Sequence, residues 1–133
     1  MTCDYYLEQA KSNEQAARSV EKSYPDWAVT MCFYAALHLV EHYACVEGSN
    51  IEQEYPGHSP HDSRRQYVYD LADKLRNSHL RKVYKDLEKE SRKARYLEGI
   101  TTSAKVYYTK NKLKVTNSFQ NLQQIKQILD DNL

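Results

Sequence analysis

The sequence contains few of the residues that interrupt regular secondary structure. Its 133 residues include only 3 Gly and 3 Pro. A fold of many short strands needs frequent turns, so this scarcity argues against a β protein and favours long helices. With 41% hydrophobic and 28% charged residues, the composition is that of an ordinary globular protein of one domain. We therefore predict a single all-α domain over residues 1–133, an up-and-down bundle of four to five helices.

Cysteines and long apolar runs are also scarce. The three cysteines, Cys3, Cys32 and Cys45, are odd in number and form no CxxC motif. This pattern predicts neither a disulfide nor a zinc framework, and a reducing cytoplasm is the simplest compartment. The longest apolar run, residues 28–37, is too short to cross a bilayer, and the first residues lack a signal-peptide pattern. We expect no membrane association.

The most apolar stretch is Trp27–Val46. Pro25 precedes it, where a fixed φ suits a first helical turn, and Gly48 follows it, where helices commonly end. Because nearly all sides of this helix are apolar, we predict that it is the buried centre of the bundle. One face is different, since polar side chains recur along it at steps of three or four residues: Thr30, Tyr34, His38, Glu41 and His42.

Four more long helices are predicted, and two segments have no clear pattern. The helices cover about 4–23, about 60–75 with Ser59 as the N-cap, about 78–97 before Gly99, and about 112–130. Residues 47–59 are predicted to be a loop, and 101–110 fit either an extended segment or a short helix. We expect His58 and His79 at the surface or at a helix cap.

The charges are distributed unevenly along the chain. Residues 1–60 contain 3 basic and 9 acidic residues, a net charge of −6, whereas residues 61–133 contain 16 and 9, a net charge of +7. Such a split indicates a basic surface for nucleic acid or association of acidic with basic surfaces. The alternative is that acidic and basic helices are neighbours within one bundle.

An antiparallel arrangement brings several polar side chains to one end of the bundle. On the third predicted long helix, His61 and Arg64 continue the core-facing stripe of Val68 and Leu71. Arginine binds phosphate through two parallel hydrogen bonds and tyrosine stacks on bases, so the group fits a phosphate and a base. The alternative is a structural network in which Glu41 pairs with an arginine. The candidate ligand-binding residues are His61, Arg64, Arg92, Arg95, Tyr96, Tyr34, His38 and Glu41, with Tyr5 and Tyr6 nearby.

Two catalytic patterns have little support. The run His38–His42 matches HxxEH, an inverted zinc-peptidase signature, but no third ligand is identifiable, so no metal site is predicted. No nucleophile elbow is present, and the cysteines have apolar neighbours. No cofactor is implied.

Three blocks of the sequence resemble small prokaryotic HEPN-domain proteins: Phe33–Glu41, His61–Arg64, and Tyr84-x-x-Leu87 followed by Ser91–Tyr96. The resemblance covers about residues 25–97 and a C-terminal helix. It implies an up-and-down helical bundle, usually a homodimer, in a superfamily of nucleotide- and RNA-associated proteins. It also implies a toxin–antitoxin or defence setting, with a cognate nucleotidyltransferase or antitoxin as a possible partner.

The chain departs from the ribonuclease members of that superfamily. Those members carry Arg, then four to six residues, then His, and no Arg–His pair here has that spacing. Whether the chain is an enzyme is therefore open. Three hypotheses follow: a nucleotide- or RNA-binding bundle, a metal-independent ribonuclease that uses His61 and Arg64, and a non-catalytic dimerisation module.

Overall fold

The computed structural model describes residues 2–57 and 59–133, and every regular element in that part of the chain is a helix. The all-α prediction is confirmed at this level. The helices are α1 (Asp4–Val20), α2 (Pro25–Val46), α3 (Ile51–Glu54), α4 (Pro60–Lys74), α5 (Ser78–Tyr96), α6 (Ala104–Lys110) and α7 (Lys112–Asp131).

The five long helices lie where the sequence predicts them, and the structure adds two short helices, α3 and α6. The helix α3 forms within the predicted loop, where Asn50 caps it by accepting a hydrogen bond from the Gln53 backbone N–H. The helix α6 resolves the undecided segment 101–110 in favour of a helix, capped by Ser103. His79 is exposed as expected, whereas His58 lies outside the described residues.

The helix α2 forms the centre of the bundle and contacts α1, α4, α5, α6 and α7. Phe33, Leu37 and Val40 are almost completely buried, as the apolar pattern predicts. By length and composition alone α2 is able to span a bilayer, contrary to the expectation from its uninterrupted apolar run. However, 61% of its most apolar window is buried inside the structure, as is common for the core helix of a bundle.

The ends of α2, α4 and α5 place the polar residues. Gly48 has φ = 77°, a left-handed conformation that suits glycine, just after α2 ends. Ser59 caps α4 as predicted, because its Oγ accepts a hydrogen bond from the Asp62 backbone N–H at 3.2 Å. The helix α5 ends at Tyr96, before the predicted stop at Gly99, since Leu97 already adopts a left-handed conformation with φ = 59°.

The expectation of no disulfide is wrong. Cys3, just before α1, and Cys45, in the last turn of α2, form a disulfide with Cα atoms 5.9 Å apart. The antiparallel packing of α1 on α2 brings these two residues together although 42 positions separate them. Counting cysteines did not reveal this pairing, because the third, Cys32, is simply a free buried core residue.

Candidate functional site

Polar side chains of α2 and α4 meet through Glu41. One carboxylate oxygen contacts His38 Nδ1 at 2.8 Å, and the other accepts a hydrogen bond from Arg64 Nη2 at 3.2 Å. Burial raises the pKa of Glu41, but the hydrogen bonds and charges of His38 and Arg64 outweigh it, and the net pKa is lowered. The pairing of Glu41 with an arginine, which the alternative of a structural network predicted, is therefore present with Arg64.

Arg64 uses only a small part of its hydrogen-bonding capacity in that pair. A guanidinium has five N–H donors, and Glu41 engages Arg64 through Nη2 alone. The Arg64 side chain is 22% exposed. It therefore has donors left for a second acceptor, unlike an arginine that grips a carboxylate with two parallel hydrogen bonds.

A second ion-pair network connects α4 with α5 beside this site. Arg65 holds Glu88 through two hydrogen bonds, Nε to Oε1 at 2.7 Å and Nη2 to Oε2 at 3.0 Å, and also contacts Asp62 at 2.6 Å. Arg92 contacts Glu88 at 3.5 Å and Glu98 at 3.2 Å. Glu88, Asp62 and Glu98 thus supply three carboxylates for the two arginines of this network. Arg92, a predicted ligand residue, is engaged in two ion pairs.

Arg95 is bound by neutral groups. Its Nη1 donates to the Tyr34 hydroxyl at 2.8 Å and to the Tyr96 hydroxyl at 3.2 Å, and its Nε donates to Ser91 Oγ at 3.0 Å. The guanidinium also lies over both tyrosine rings, 5.3 Å from the Tyr34 centroid and 4.7 Å from that of Tyr96. Within the described residues no carboxylate lies at ion-pair distance from Arg95, so its positive charge is not neutralised by a direct partner.

His61 lies between these groups. Its ring centroid is 5.9 Å from that of Phe33 and 6.1 Å from that of Tyr34, on α2. Its Nδ1 is buried without a hydrogen-bond partner among the described residues. Burial lowers the pKa of His61 first, and the charges of Arg64 and Arg95 lower it further. Arg95 lies 5.3 Å from the centroid of the Tyr34 ring that His61 faces, and Arg64 follows His61 by one turn of α4, so both arginines lie at the same end of the bundle as this imidazole.

Four of the eight predicted site residues define what we call the anion rim: His61, Arg64, Arg95 and Tyr96. Tyr34 contacts Arg95 and Glu41 contacts Arg64, whereas His38 contacts Glu41. Arg92 belongs to the neighbouring Glu88 network.

Arg65 and Glu88 are not among the predicted site residues, although one feature of the sequence indicates that Glu88 needs a partner. Glu88 lies four residues after Tyr84 and one after Leu87, on the apolar stripe of α5, and its side chain is only 5% exposed. A buried carboxylate requires a partner, so this position alone indicated a cation on a neighbouring helix. Whether Arg65 or Arg64 pairs with Glu88 depends on the angle at which α4 and α5 cross.

The HxxEH residues do not converge as metal ligands do. His38 and Glu41 contact each other, and the described residues contain no group of three or more His, Cys, Asp or Glu side chains arranged to hold a metal ion.

In comparisons with known proteins, no family model, no curated protein and no solved structure matches this chain.

Proposed function

We propose that this chain is a HEPN-like helical bundle that binds a phosphate-bearing ligand, a nucleotide or RNA, at the anion rim. The observation that carries the proposal is the environment of Arg95. Its guanidinium is held by hydroxyl groups and by two tyrosine rings, with no carboxylate at ion-pair distance among the described residues. An arginine with that environment keeps its charge available to an anion.

The side chains around Arg95 fit the other parts of such a ligand. The Tyr96 side chain is 65% exposed, so one face of its ring is available for stacking on a base. Arg64 offers unused N–H donors for a second phosphate oxygen. Tyr34, His38 and Glu41 hold the two arginines in place, since each contacts one rim residue or its direct partner.

The charge asymmetry of the chain is compatible with this proposal. Part of it is compensated inside the bundle, because Glu41 pairs with Arg64 and Glu14 lies 3.8 Å from Lys126. Acidic and basic helices are thus neighbours, as the alternative interpretation expected. The support for an anion site therefore comes from the positive charge of Arg95, which has no direct carboxylate partner among the described residues. The net charge of residues 61–133 adds little support.

Binding of a short single-stranded RNA and of AMP to the Arg64→Ala/Arg95→Ala double variant tests the proposal. We expect the double variant to lose at least about tenfold in affinity, since each lost arginine–phosphate contact weakens binding. The matched control is Arg81→Ala, an exposed arginine of the same helix as Arg95 that also lies over a tyrosine ring, 4.3 Å from the Tyr69 centroid. Equal affinities of the wild type, the double variant and the control, with helicity intact, would contradict the proposal.

A metal-independent ribonuclease is the second candidate, and the state of His61 favours it. Because burial and two arginines lower its pKa, the imidazole is neutral at pH 7 and can accept a proton from a ribose hydroxyl. The ribose oxygen would then attack phosphorus, the bond from phosphorus to the 5′-oxygen would break, and His61 would return its proton to that oxygen. Arg64 or Arg95 would stabilise the negative charge that develops on the phosphate. RNA cleavage by the purified protein that disappears in His61→Ala supports this function. Cleavage that persists in the variant comes from a contaminant.

The partners belong to the same proposal. A homodimer and a cognate nucleotidyltransferase or antitoxin rest on the family resemblance, and sedimentation at low and high salt tests the dimer. A charge-driven dimer dissociates as salt increases, whereas an apolar one does not.

A cytoplasmic location loses its main support, because the cysteine pattern that favoured it includes the Cys3–Cys45 disulfide.

A further inference from the structure

A cavity of about 440 Å³ opens beside the anion rim, between the first turn of α1, the last turns of α2 and the segment that leads into α3. Small-molecule sites commonly have volumes of about 300–1,000 Å³. Glu41 lines the cavity and also accepts the hydrogen bond from Arg64, so it connects the cavity to the rim. Arg64 does not line the cavity itself; its guanidinium lies one hydrogen bond beyond the Glu41 carboxylate.

One wall of the cavity is aromatic. Tyr5 and Tyr6 lie with their ring centroids 4.2 Å apart and their planes tilted by 33°. The Tyr5 side chain is 57% exposed, and both rings line the cavity. The hydrogen bond with Tyr5 and burial raise the pKa of Tyr6 to about 12, which shows that the two hydroxyl groups interact with each other. Exposed tyrosine rings of this kind are the usual surface on which a base stacks.

The disulfide holds this wall in place. Cys3 immediately precedes the turn that carries Tyr5 and Tyr6, and Cys45 itself lines the cavity. Leu7, which packs against the core, and the buried Ala10 also hold the start of α1 on the bundle. The cross-link adds a covalent anchor directly before the two tyrosines.

The other lining residues include polar and acidic side chains. The Asn50 side-chain oxygen caps α3, which leaves its NH₂ group as a donor, while Ser49, Glu41 and Glu52 add oxygen atoms. The carboxylates disfavour a phosphate inside the cavity. They suit a neutral heterocycle whose edge carries both donors and acceptors, and whose amino groups donate to oxygen.

We propose that this cavity binds the base of a nucleoside phosphate, stacked on Tyr5 and Tyr6, with the phosphate on Arg64. This inference rests on the proposed function. It narrows the ligand to a nucleoside phosphate and places its base in the cavity instead of on the exposed Tyr96 ring. The two carboxylates set the orientation, with the base in the cavity and the phosphate on the cationic side of Glu41.

Calorimetric titration of the full chain with AMP and with ribose 5-phosphate, which lacks a base, tests the inference. We expect AMP to bind about tenfold more tightly than ribose 5-phosphate, because only AMP gains the stacking contact. Tyr5→Ala should remove that difference and leave ribose 5-phosphate binding unchanged, whereas Tyr5→Phe, which keeps the ring, should retain it. The matched control is Tyr24→Ala, an exposed tyrosine just before the other end of α2.

The outcomes separate the two proposals. If the wild type binds AMP and ribose 5-phosphate equally well, the base site is wrong while the anion rim stands. If the wild type binds neither of them and no RNA, both proposals are wrong. The variant Tyr96→Ala decides the question even if Tyr5→Ala does not fold, because the cavity site predicts that it keeps the preference for AMP. Loss of that preference in Tyr96→Ala would place the base on Tyr96 and contradict the cavity site.

Discussion

Arg65 and Glu88 lie 23 positions apart in the chain and are joined by two parallel hydrogen bonds of 2.7 and 3.0 Å. The pair connects α4, which carries His61 and Arg64, to α5, which carries Arg95. It therefore sets the relative position of the two helices that form the anion rim. The proposed ligand site depends on this ion pair although neither of its residues belongs to the rim.

We expect Arg65→Met to lower the free energy of unfolding by about 3 kcal/mol, because it leaves the buried Glu88 carboxylate with only the more distant Arg92. Methionine keeps most of the aliphatic stem, so the loss reports the ion pair rather than packing. Urea unfolding measures it. The control Arg81→Met, at an exposed position, should change stability by less than about 0.5 kcal/mol. Equal effects of the two substitutions would show that the pair contributes little.

The two serine N-caps allow a matched comparison. Ser59 Oγ accepts from the Asp62 backbone N–H at the start of α4, and Ser103 Oγ accepts from Val106 at the start of α6, both at 3.2 Å. Replacing either serine with alanine should cost about 1 kcal/mol of stability in urea unfolding. Only Ser59→Ala should also weaken AMP or RNA binding, because α4 begins at the rim. A loss of binding with Ser103→Ala as well would point to a general effect of instability.

The pH dependence of stability reports on His61. Its pKa in the folded chain lies below the ordinary value of 6.5, so the unfolded chain takes up this proton first as the pH falls. The free energy of unfolding should therefore decrease from about pH 6.5 down through the folded pKa, and His61→Gln should remove that decrease. Urea titrations at pH 7.5 and 5.5 measure it. The lowered pKa of Glu41 affects the free energy of unfolding only below its ordinary value of 4.5, so the effects of the two residues fall in different pH ranges. An identical pH dependence in the variant would contradict the environment described for His61.

Loss of the disulfide should destabilise the whole bundle. Opening the Cys3–Cys45 cross-link with a dithiol, or by the double change Cys3→Ala/Cys45→Ala, should cost about 2–4 kcal/mol for a loop of this size. Thermal unfolding with and without reductant measures this. The double variant is its own control, since its stability should not respond to reductant while Cys32 stays buried. A wild type that does not respond to reductant would mean that the cross-link is not formed.

The sequence was sufficient for the features set by local chemistry. The boundaries of α2 follow from Pro25 and Gly48, and the start of α4 follows from Ser59, because these residues act on their own neighbours in the chain. The meeting of His61, Arg64 and Arg95 follows from antiparallel packing combined with helical periodicity.

The remaining features depend on distances between helices, which periodicity does not give. The Cys3–Cys45 pairing requires the register of α1 along α2, and no local pattern encodes it. The choice of Glu88 for Arg65, and of Glu41 for Arg64, depends on how α2, α4 and α5 cross. The short helices α3 and α6 are too brief to show a periodic stripe, so the hydropathy pattern does not predict them, and the structure shows them capped by Asn50 and Ser103.

The central claim is that an anion binds between Arg64 and Arg95, and the most direct measurement follows the arginine Nε–H resonances by NMR during titration with AMP. We predict that the signals of Arg64 and Arg95 shift together and saturate at one concentration, while the signal of Arg81 does not move. Unchanged signals of Arg64 and Arg95 at saturating AMP, or shifts of the same size at Arg81, would contradict the account.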